Sequence, residues 1–240
     1  MIDSSLAAPG RIPDGRRVYA IGDVHGCLDR LVALHWAIAL DLAARPVRDS
    51  VLLHLGDYVD RGPDSAGVLW LLAGSVAPKV SRRVDLVGNH EQMMIRSLEG
   101  DRRVAGHWLD NGGEQTLESY GLPVPVAQRP AEWRRAVPDA HMAYLATLDT
   151  THREGDYLFV HAGIRPGLSM KAQNQEDLLW IREPFLSDRT PRDFVVVHGH
   201  TPKPEPEVFE NRIGIDTGAV MGGRLTCLIL EADQMRFLSA

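Results

Sequence analysis

The sequence predicts an α/β fold in which helices pack against a sheet. Three apolar, strand-like runs cover residues 18–21, 51–55 and 84–87. Each run is followed by a glycine-bounded loop that carries Asp, His or Asn, and segments with helical character follow these loops. This alternation of strand, loop and helix is typical of layered α/β proteins.

The segment after the first loop predicts a helix of about four turns. Apolar side chains recur at helical spacing between Leu28 and Leu42, and Pro46 ends the segment. Trp36 and Leu40 are expected to widen the buried stripe of this helix.

The chain as a whole predicts a single domain. Residues 1–16 lack any period and are expected to form an arm, followed by one domain over residues 17–240. Residues 92–156 contain helical pieces and no strand pattern, so we expect a helical insertion that forms a wall or cap over the functional site. Closely spaced strand patterns in residues 213–238 predict a second, antiparallel sheet.

Composition argues against several classes of partner. The 240 residues include 26 basic and 32 acidic side chains, a formal net charge of −6, so no basic surface for nucleic acid or anionic lipid is expected. Two distant cysteines, Cys27 and Cys227, argue against a disulfide framework. No apolar stretch approaches the roughly 20 residues of a membrane span, and residues 1–5 lack the pattern of a signal peptide. We therefore expect a cytoplasmic protein with no nucleic-acid or membrane partner.

Five loops at predicted strand ends carry side chains that bind divalent metals. They read Gly-Asp-Val-His-Gly at 22–26, Gly-Asp-Tyr-Val-Asp-Arg-Gly at 56–62, Gly-Asn-His-Glu at 88–91, His-Ala-Gly at 161–163 and Gly-His-Thr at 199–201. Carboxylate, imidazole and amide groups without a cysteine cluster suit hard or borderline divalent ions. The pattern predicts a site for two such ions at the strand ends.

The spacing divides these ligands between the two ions. Asp23 and His25 are two residues apart in one turn, so both can face the same ion. Asp57 has two carboxylate oxygens and can bridge ions that lie roughly 3.5 to 4 Å apart. The second ion is expected to be completed by Asn89, His161 and His200.

His90 and Asp60 are left for chemistry. A histidine that lies beside two metal ions and is oriented by a carboxylate is suited to donate a proton to a departing oxygen. Arg61 follows Asp60 directly, and its planar guanidinium suits two oxygens of a phosphoryl group. A structural salt bridge is the alternative role for Arg61.

In this order, the five loops resemble the motifs of the metal-dependent phosphoprotein phosphatase family within the calcineurin-like metallophosphoesterases. The likeness covers residues 17–230 and is strongest to the compact bacterial and phage branch, typified by the lambda phosphatase. The combination of Asp-x-x-Asp-Arg-Gly with Gly-Asn-His-Glu separates this family from other metallophosphoesterases. The resemblance implies a four-layer sandwich of two mixed β-sheets flanked by helices, with a dimetal site at the C-terminal ends of the strands.

The resemblance also implies roles for individual residues. It implies a catalytic acid formed by His90 with Asp60, and phosphate binding by Arg61, Asn89 and Arg182, the last because residues 178–182 resemble the family's Trp-x-Arg stretch. A surface arginine is the alternative for Arg182. The implied ligands are Asp23, His25 and Asp57 for the first ion, and Asp57, Asn89, His161 and His200 for the second. Manganese is the expected metal, with iron or zinc also compatible with these ligands.

The resemblance implies hydrolysis of phosphomonoesters, with serine and threonine phosphoproteins or a small phosphoester as substrate. Two ions are expected to share a hydroxide that attacks phosphorus in line, while His90 protonates the leaving oxygen. Cleavage of dinucleoside polyphosphates such as diadenosine tetraphosphate is the alternative with the same core, although Gly-His-Thr-Pro in the fifth loop replaces the Gly-His-Trp typical of those hydrolases. A non-catalytic metal-dependent binding protein is a third interpretation, which the complete set of ligands and acid disfavours.

Other residues near the loops are expected to serve structure. Glu91 is expected to brace the third loop or cap the helix that follows. His198 is expected to pack near the site or support a ligand. Cys27 lacks the Cys-x5-Arg phosphate cradle of a cysteine phosphatase, so we expect a small buried residue there. His35 and His54 are expected at surface or satisfied core positions.

Overall fold

The computed structural model describes residues 5–74, 78–122 and 130–240. Its strands are β1 (Leu6–Ala7), β2 (Arg16–Ile21), β3 (Asp49–His54), β4 (Arg82–Asp85), β5 (Thr151–Glu154), β6 (Tyr157–Val160), β7 (Val195–His198), β8 (Glu207–Val208), β9 (Arg212–Gly214), β10 (Thr226–Glu231) and β11 (Gln234–Ser239). Its helices are α1 (Leu28–Ala44), α2 (Ser65–Ala73), α3 (Asn89–Leu98), α4 (Arg102–Trp108), α5 (Glu114–Ser119), α6 (Pro130–Ala136), α7 (Asp139–Leu145) and α8 (Gln175–Trp180). A π-type turn, Leu109–Gly113, joins α4 to α5.

The strands form two mixed sheets. The first has six strands in the order β1, β11, β10, β2, β3, β4, and the second has five in the order β5, β6, β7, β9, β8. Strands β2, β3 and β4 are parallel, as are β6, β7 and β9. The carboxyl ends of each parallel set therefore lie at one edge of its sheet.

Alternation of side chains along the strands separates the core into layers. Val18 and Ala20 of β2 pack into the apolar core shared by the two sheets, whereas Tyr19 and Ile21 pack against the helices. Helices α1, α2 and α3 cover that outer face of the first sheet, and α8 covers the outer face of the second, where Leu178 packs near β6. The predicted four-layer sandwich of two mixed sheets flanked by helices is confirmed.

The C-terminal strands pair differently from the sequence prediction. The prediction of an antiparallel second sheet from residues 213–238 is wrong, because β10 and β11 join the first sheet and β9 joins the second in parallel with β7. Periodicity identifies a strand but does not identify its partner, and the partner here lies about 200 residues earlier in β2. The expectation that residues 92–156 contain no strand is also wrong, because their described part includes β5, which pairs with β6.

Two further predicted segments are the N-terminal arm and the helical insertion. Within the arm of residues 1–16, β1 pairs with the edge strand β11, and residues 1–4 lie outside the described residues. The predicted insertion at residues 92–156 supplies α4 to α7, while its residues 123–129 also lie outside the described residues.

Helix α1 confirms the predicted segment but not its full buried stripe. Leu31, Leu34 and Ile38 are fully buried against the sheet. Trp36 and Leu40 are 67% and 66% exposed, so their expected burial is wrong. The stripe is narrower because a helix packed on one sheet buries only the positions that face it. Among the described helices, none has the length and apolar character that crossing a bilayer requires.

Substitutions on the two faces of α1 should differ in their cost. We expect Leu34→Ala to lower the free energy of unfolding by about 2–5 kcal/mol through loss of buried contacts. Trp36→Lys should change it by less than about 0.5 kcal/mol, because its side chain already faces solvent. Urea denaturation of both variants measures the difference, and an equal loss in the two would contradict the assignment of the faces.

Candidate dimetal active site

The candidate site lies where the two sheets meet at one edge of the sandwich. The loops that follow β2, β3 and β4 approach it from the first sheet, and those that follow β6 and β7 approach from the second. Backbone bonds join the first two loops, since the amides of Val24 and His25 donate to the Asp57 carbonyl at 3.0 and 2.8 Å. The five loops with predicted ligands therefore converge on one place.

Hydrogen bonds across the sandwich fix the loops of one sheet against those of the other. His161 Nδ1 lies 2.9 Å from the Leu55 carbonyl oxygen, to which it donates. The amide of His200 donates to Asp23 Oδ2 at 2.9 Å. Each bond joins a side chain to the backbone of a residue 106 or 177 positions away, and so fixes loops of the two sheets against each other.

Asp57 is shared by two buried groups of potential metal ligands. One group is His25, Asp57 and His90, and the other is Asp57, His161 and His200, with ligand atoms within 4.8 Å of one another in each. Asp57 Oδ2 lies 3.5 Å from His25 Nε2, and Asp57 Oδ1 lies 3.3 Å from His161 Nε2. Each carboxylate oxygen thus faces a different group.

Asn89 and Asp23 border these groups. Asn89 Oδ1 lies 2.9 Å from both His161 Nε2 and His200 Nδ1. Asp23 is buried, and its Oδ1 has no hydrogen-bond partner among the described residues; the same is true of His200 Nε2. Within a cluster of potential ligands, a bound cation would satisfy both of these buried atoms.

The donor set fits divalent cations. His25 Nδ1 donates to the Val59 carbonyl at 2.8 Å, which leaves the lone pair of Nε2 directed toward Asp57. His161 is fixed in the same way by Leu55. Imidazole nitrogens held by backbone carbonyls, together with carboxylate and amide oxygens, form ligand sets for borderline and hard divalent ions.

The pKa values of the groups around Asp57 reflect this concentration of charge. Burial would raise the pKa of Asp57, but His161 and His90 hold it well below its ordinary value. Burial opposes a charge on His161, yet Asp57 raises the pKa of His161 to about 10. The negative charge of Asp57 therefore requires a neighbouring positive charge, which a bound cation would also provide.

His90 and Asp60 form a buried pair beside the first group. His90 Nδ1 lies 2.6 Å from Asp60 Oδ2, and His90 Nε2 lies 4.0 Å from Asp57 Oδ2. Burial would lower the pKa of His90, but Asp57 and the bond to Asp60 raise it above its ordinary value. The pair thus places His90 Nε2, the ring nitrogen that does not face Asp60, toward the first group.

Two arginines are exposed near the site. Arg61 Nη1 lies 3.0 Å from His25 Nε2, and the Arg61 amide donates to the Gly112 carbonyl at 3.1 Å. Burial and the charge of His161 lower the pKa of His200 to about 3, and the nearby charge of Arg182 adds to this effect. Among the described residues, no side chain forms a hydrogen bond or ion pair with the Arg182 guanidinium.

The backbone at the site adopts a conformation that non-glycine residues rarely take. Of the six described non-glycine residues with positive φ, all but Ala232 belong to the predicted site: His25 (43°), Asp57 (53°), Asp60 (74°), Arg61 (68°) and His200 (64°). Each costs on the order of 1 kcal/mol or more relative to ordinary backbone. Such strain is concentrated where side chains must be aimed at one point.

Glu91 holds the second and third loops together. Its carboxylate accepts from the amides of Asp57 and Gly88 at 2.8 Å each, of Tyr58 at 2.7 Å and of Val59 at 3.2 Å. The Glu91 carboxylate also caps the start of α3. The predicted bracing role of Glu91 is confirmed. A Cβ at Gly88 would overlap the Asp57 carboxylate, so glycine is required there.

The contribution of residues 92–156 to the site was not predicted from the sequence. Trp108 and Thr116 reach from this segment to hydrogen-bond with Asp60, 48 and 56 residues away. Nothing in the local pattern of these residues indicates that contact. Sequence reasoning also missed a cleft of about 350 Å³ beside the site, lined by Gln92, Met93, Arg96, Val104, His107, Glu176 and Trp180.

The residues expected to serve structure lie where that role requires. His198 contacts the Gly199 carbonyl at 3.0 Å and Arg212 at 3.2 Å rather than the metal groups. His35 and His54 are buried and contact each other at 3.0 Å. Cys27 is buried and free.

A four-layer sandwich with histidine, aspartate and asparagine gathered at its edge defines a metal-dependent phosphoesterase. The calcineurin-like phosphoesterase family matches residues 16–224 of the chain. The chain belongs to this family and is an enzyme that hydrolyses phosphoesters.

Two relatives, one named as a serine/threonine protein phosphatase and one as a bis(5'-nucleosyl)-tetraphosphatase, are similar to this chain over most of their length. Serine/threonine-protein phosphatase 1 of Salmonella typhimurium is 32% identical over 225 residues, which cover 88% of this chain and 90% of the relative. The asymmetrical bis(5'-nucleosyl)-tetraphosphatase PrpE of Bacillus subtilis is 30% identical over 226 residues, which cover 86% and 87%.

Solved structures show the same fold. A candidate diadenosine tetraphosphatase has a TM-score of 0.66 at 22% identity and 93% coverage of both chains. A cold-active protein tyrosine phosphatase has a TM-score of 0.62 at 19% identity, covering 95% of this chain and 81% of its own. At these identities the likeness concerns the fold alone.

Divalent metal should stabilise the protein through Asp57. We expect Mn²⁺ added to chelator-treated protein to raise the Tm, reaching about 2.7 kcal/mol of stabilisation at one hundred times the Kd. Asp57→Asn should abolish most of this shift, because it removes the charge common to both ligand groups. Differential scanning calorimetry measures the shift, with the exposed Asp139→Asn as control. A full shift in Asp57→Asn would contradict the shared role.

Proposed function

We propose that the protein is a dimetal phosphomonoesterase that acts on serine and threonine phosphoproteins. The observation that carries the proposal is the arrangement of Asp57 between two ligand groups with the His90–Asp60 pair alongside. The 32% identity to serine/threonine-protein phosphatase 1 over nearly its whole length supports this substrate class.

The proposed ligand sets are supported by the convergence of these side chains around Asp57. We assign Asp23, His25 and Asp57 to one ion, and Asp57, Asn89, His161 and His200 to the other. When bound, two divalent ions would stabilise charge on the phosphoryl oxygens and lower the pKa of a water molecule. Manganese is our proposed metal. The buried, free cysteines fit a reducing compartment, and we propose the cytoplasm.

The chain's own residues then act on the phosphoester. In the hydrolysis of a phosphomonoester, a water oxygen forms a bond to phosphorus and the bond from phosphorus to the ester oxygen breaks. An alcohol and inorganic phosphate are released. His90 Nε2, with Nδ1 held by Asp60, donates the proton that the departing oxygen needs. Arg61 and Arg182 bind the non-bridging phosphoryl oxygens and keep the ester in line.

The surroundings of Arg61 support a phosphomonoester over a longer polyphosphate. A cavity of about 550 Å³ beside it is lined by Asp110 and Glu114 among other residues. Carboxylates at this position would repel additional phosphate groups but accept a neutral or basic peptide segment.

Hydrolysis of dinucleoside polyphosphates is the second candidate. Its support is the 30% identity to a bis(5'-nucleosyl)-tetraphosphatase over most of both chains. The same ligands and acid would serve that reaction, so only the contacts outside the dimetal centre distinguish the two substrates.

Loss of the acid should slow the reaction without loss of metal. We expect His90→Asn to lower kcat on a phosphoserine peptide by about 10²–10⁴-fold, because the leaving alkoxide no longer receives a proton. Steady-state kinetics together with metal content by mass spectrometry test this. His152→Gln, which lies away from the site in β5, is the control and should retain activity. Full activity of His90→Asn, or an inactive wild type with metal bound, would contradict the proposal.

The substrate class can be decided by direct competition. We expect kcat/KM with Mn²⁺ to be higher for a phosphoserine peptide than for diadenosine tetraphosphate, because Asp110 and Glu114 oppose extra phosphates. Phosphate release from each substrate alone and in mixture measures the preference. A higher value for the dinucleotide would replace the phosphoprotein assignment with the second candidate.

A further inference from the structure

We infer that Trp108 and Thr116 of the helical insertion are positioning residues for the acid, since they hold Asp60 where it orients His90. The inference rests on the proposed function, because Asp60 matters to the reaction only if His90 donates the proton. On this inference, the insertion helps to orient the catalytic acid and does more than form the surface around the site.

Trp108 contacts both oxygens of the Asp60 carboxylate. Its indole Nε1 donates to Oδ1 at 2.9 Å and to Oδ2 at 3.0 Å, and both side chains are fully buried. A donor placed between two oxygens sets the plane of the carboxylate. Because His90 binds Oδ2, this plane also sets the direction of the imidazole.

Thr116 fixes the same residue from a second side. Its hydroxyl donates to Asp60 Oδ1 at 2.6 Å, and the amide of Asp60 donates to the Thr116 oxygen at 2.8 Å. Ser65 Oγ also accepts from that amide at 3.0 Å. Asp60 Oδ1 therefore accepts hydrogen bonds from residues of the insertion, and Oδ2 remains available to accept from His90.

The backbone of Asp60 explains why such support is needed. Its φ of 74° lies in the left-handed region, so regular secondary structure does not hold this aspartate in place. A buried carboxylate that loses a donor turns toward another one, since an unpaired oxygen in the interior is costly. Loss of Trp108 Nε1–H would therefore let the carboxylate rotate and misdirect His90.

Trp133 offers a matched control for packing. Its ring lies 5.9 Å from that of Trp108, and it is equally buried. Its Nε1 has no hydrogen-bond partner among the described residues. Replacement of either tryptophan by phenylalanine removes similar volume, but only the change at Trp108 removes a hydrogen bond to Asp60.

The test compares substrates that differ in how much they need an acid. Nitrophenolate leaves p-nitrophenyl phosphate readily without a proton, whereas the oxygens of phenyl phosphate and of a phosphoserine peptide depend on one. We expect Trp108→Phe in the Mn²⁺-loaded enzyme to lower kcat about 10–100-fold on phenyl phosphate and the peptide, and less than about threefold on p-nitrophenyl phosphate. Trp133→Phe should leave all three substrates within about twofold of wild type.

Thr116 provides an independent pair of variants should Trp108→Phe fail to fold. Thr116→Val should show the same dependence on the leaving group, and Thr116→Ser, which keeps the hydroxyl, should restore wild-type rates. An equal loss on all substrates, or no loss, in the folded variants would overturn the inference. His90→Asn is run in parallel: absence of leaving-group dependence in that variant would instead refute His90 as the acid and so the proposed mechanism.

Discussion

The buried carboxylate of Asp57 is the constraint on which the rest of the site depends. It stands between two groups of histidines, and a buried negative charge needs neighbouring positive charge. The five loops converge to supply those partners, and Glu91 fixes the backbone of Asp57 by accepting from four amides around it. The sandwich brings the loops together because the carboxyl ends of both parallel strand sets lie at the same edge.

The cost of this convergence is spread over the surrounding structure. Five site residues adopt left-handed backbone, and the loops stay in place because bonds such as His161 to Leu55 cross from one sheet to the other. The segment of residues 92–156 adds further support, since Trp108 and Thr116 bond to Asp60. The groups of potential metal ligands and the side chains that bond to Asp60 thus come from different parts of the chain.

Much of the fold and of the candidate site can be predicted from the sequence. The sequence predictions that are wrong or incomplete have physical reasons. Strand-like runs and the Asp, His and Asn residues after them are local features, so the layered fold and the candidate ligands follow from pattern alone. The pairing of β10 with β2 and the contacts of Trp108 and Thr116 with Asp60 span large sequence distances, and no local pattern encodes them. Exposure of Trp36 was likewise unpredictable from periodicity, because hydrophobic residues also occupy surfaces.

We propose that Asp57 is shared by two metal ions. Anomalous diffraction from crystals of the Mn²⁺-loaded protein tests it most directly. We expect two anomalous-difference peaks, roughly 3.5 to 4 Å apart, on either side of the Asp57 carboxylate. A single peak, or peaks that do not contact Asp57, would contradict it.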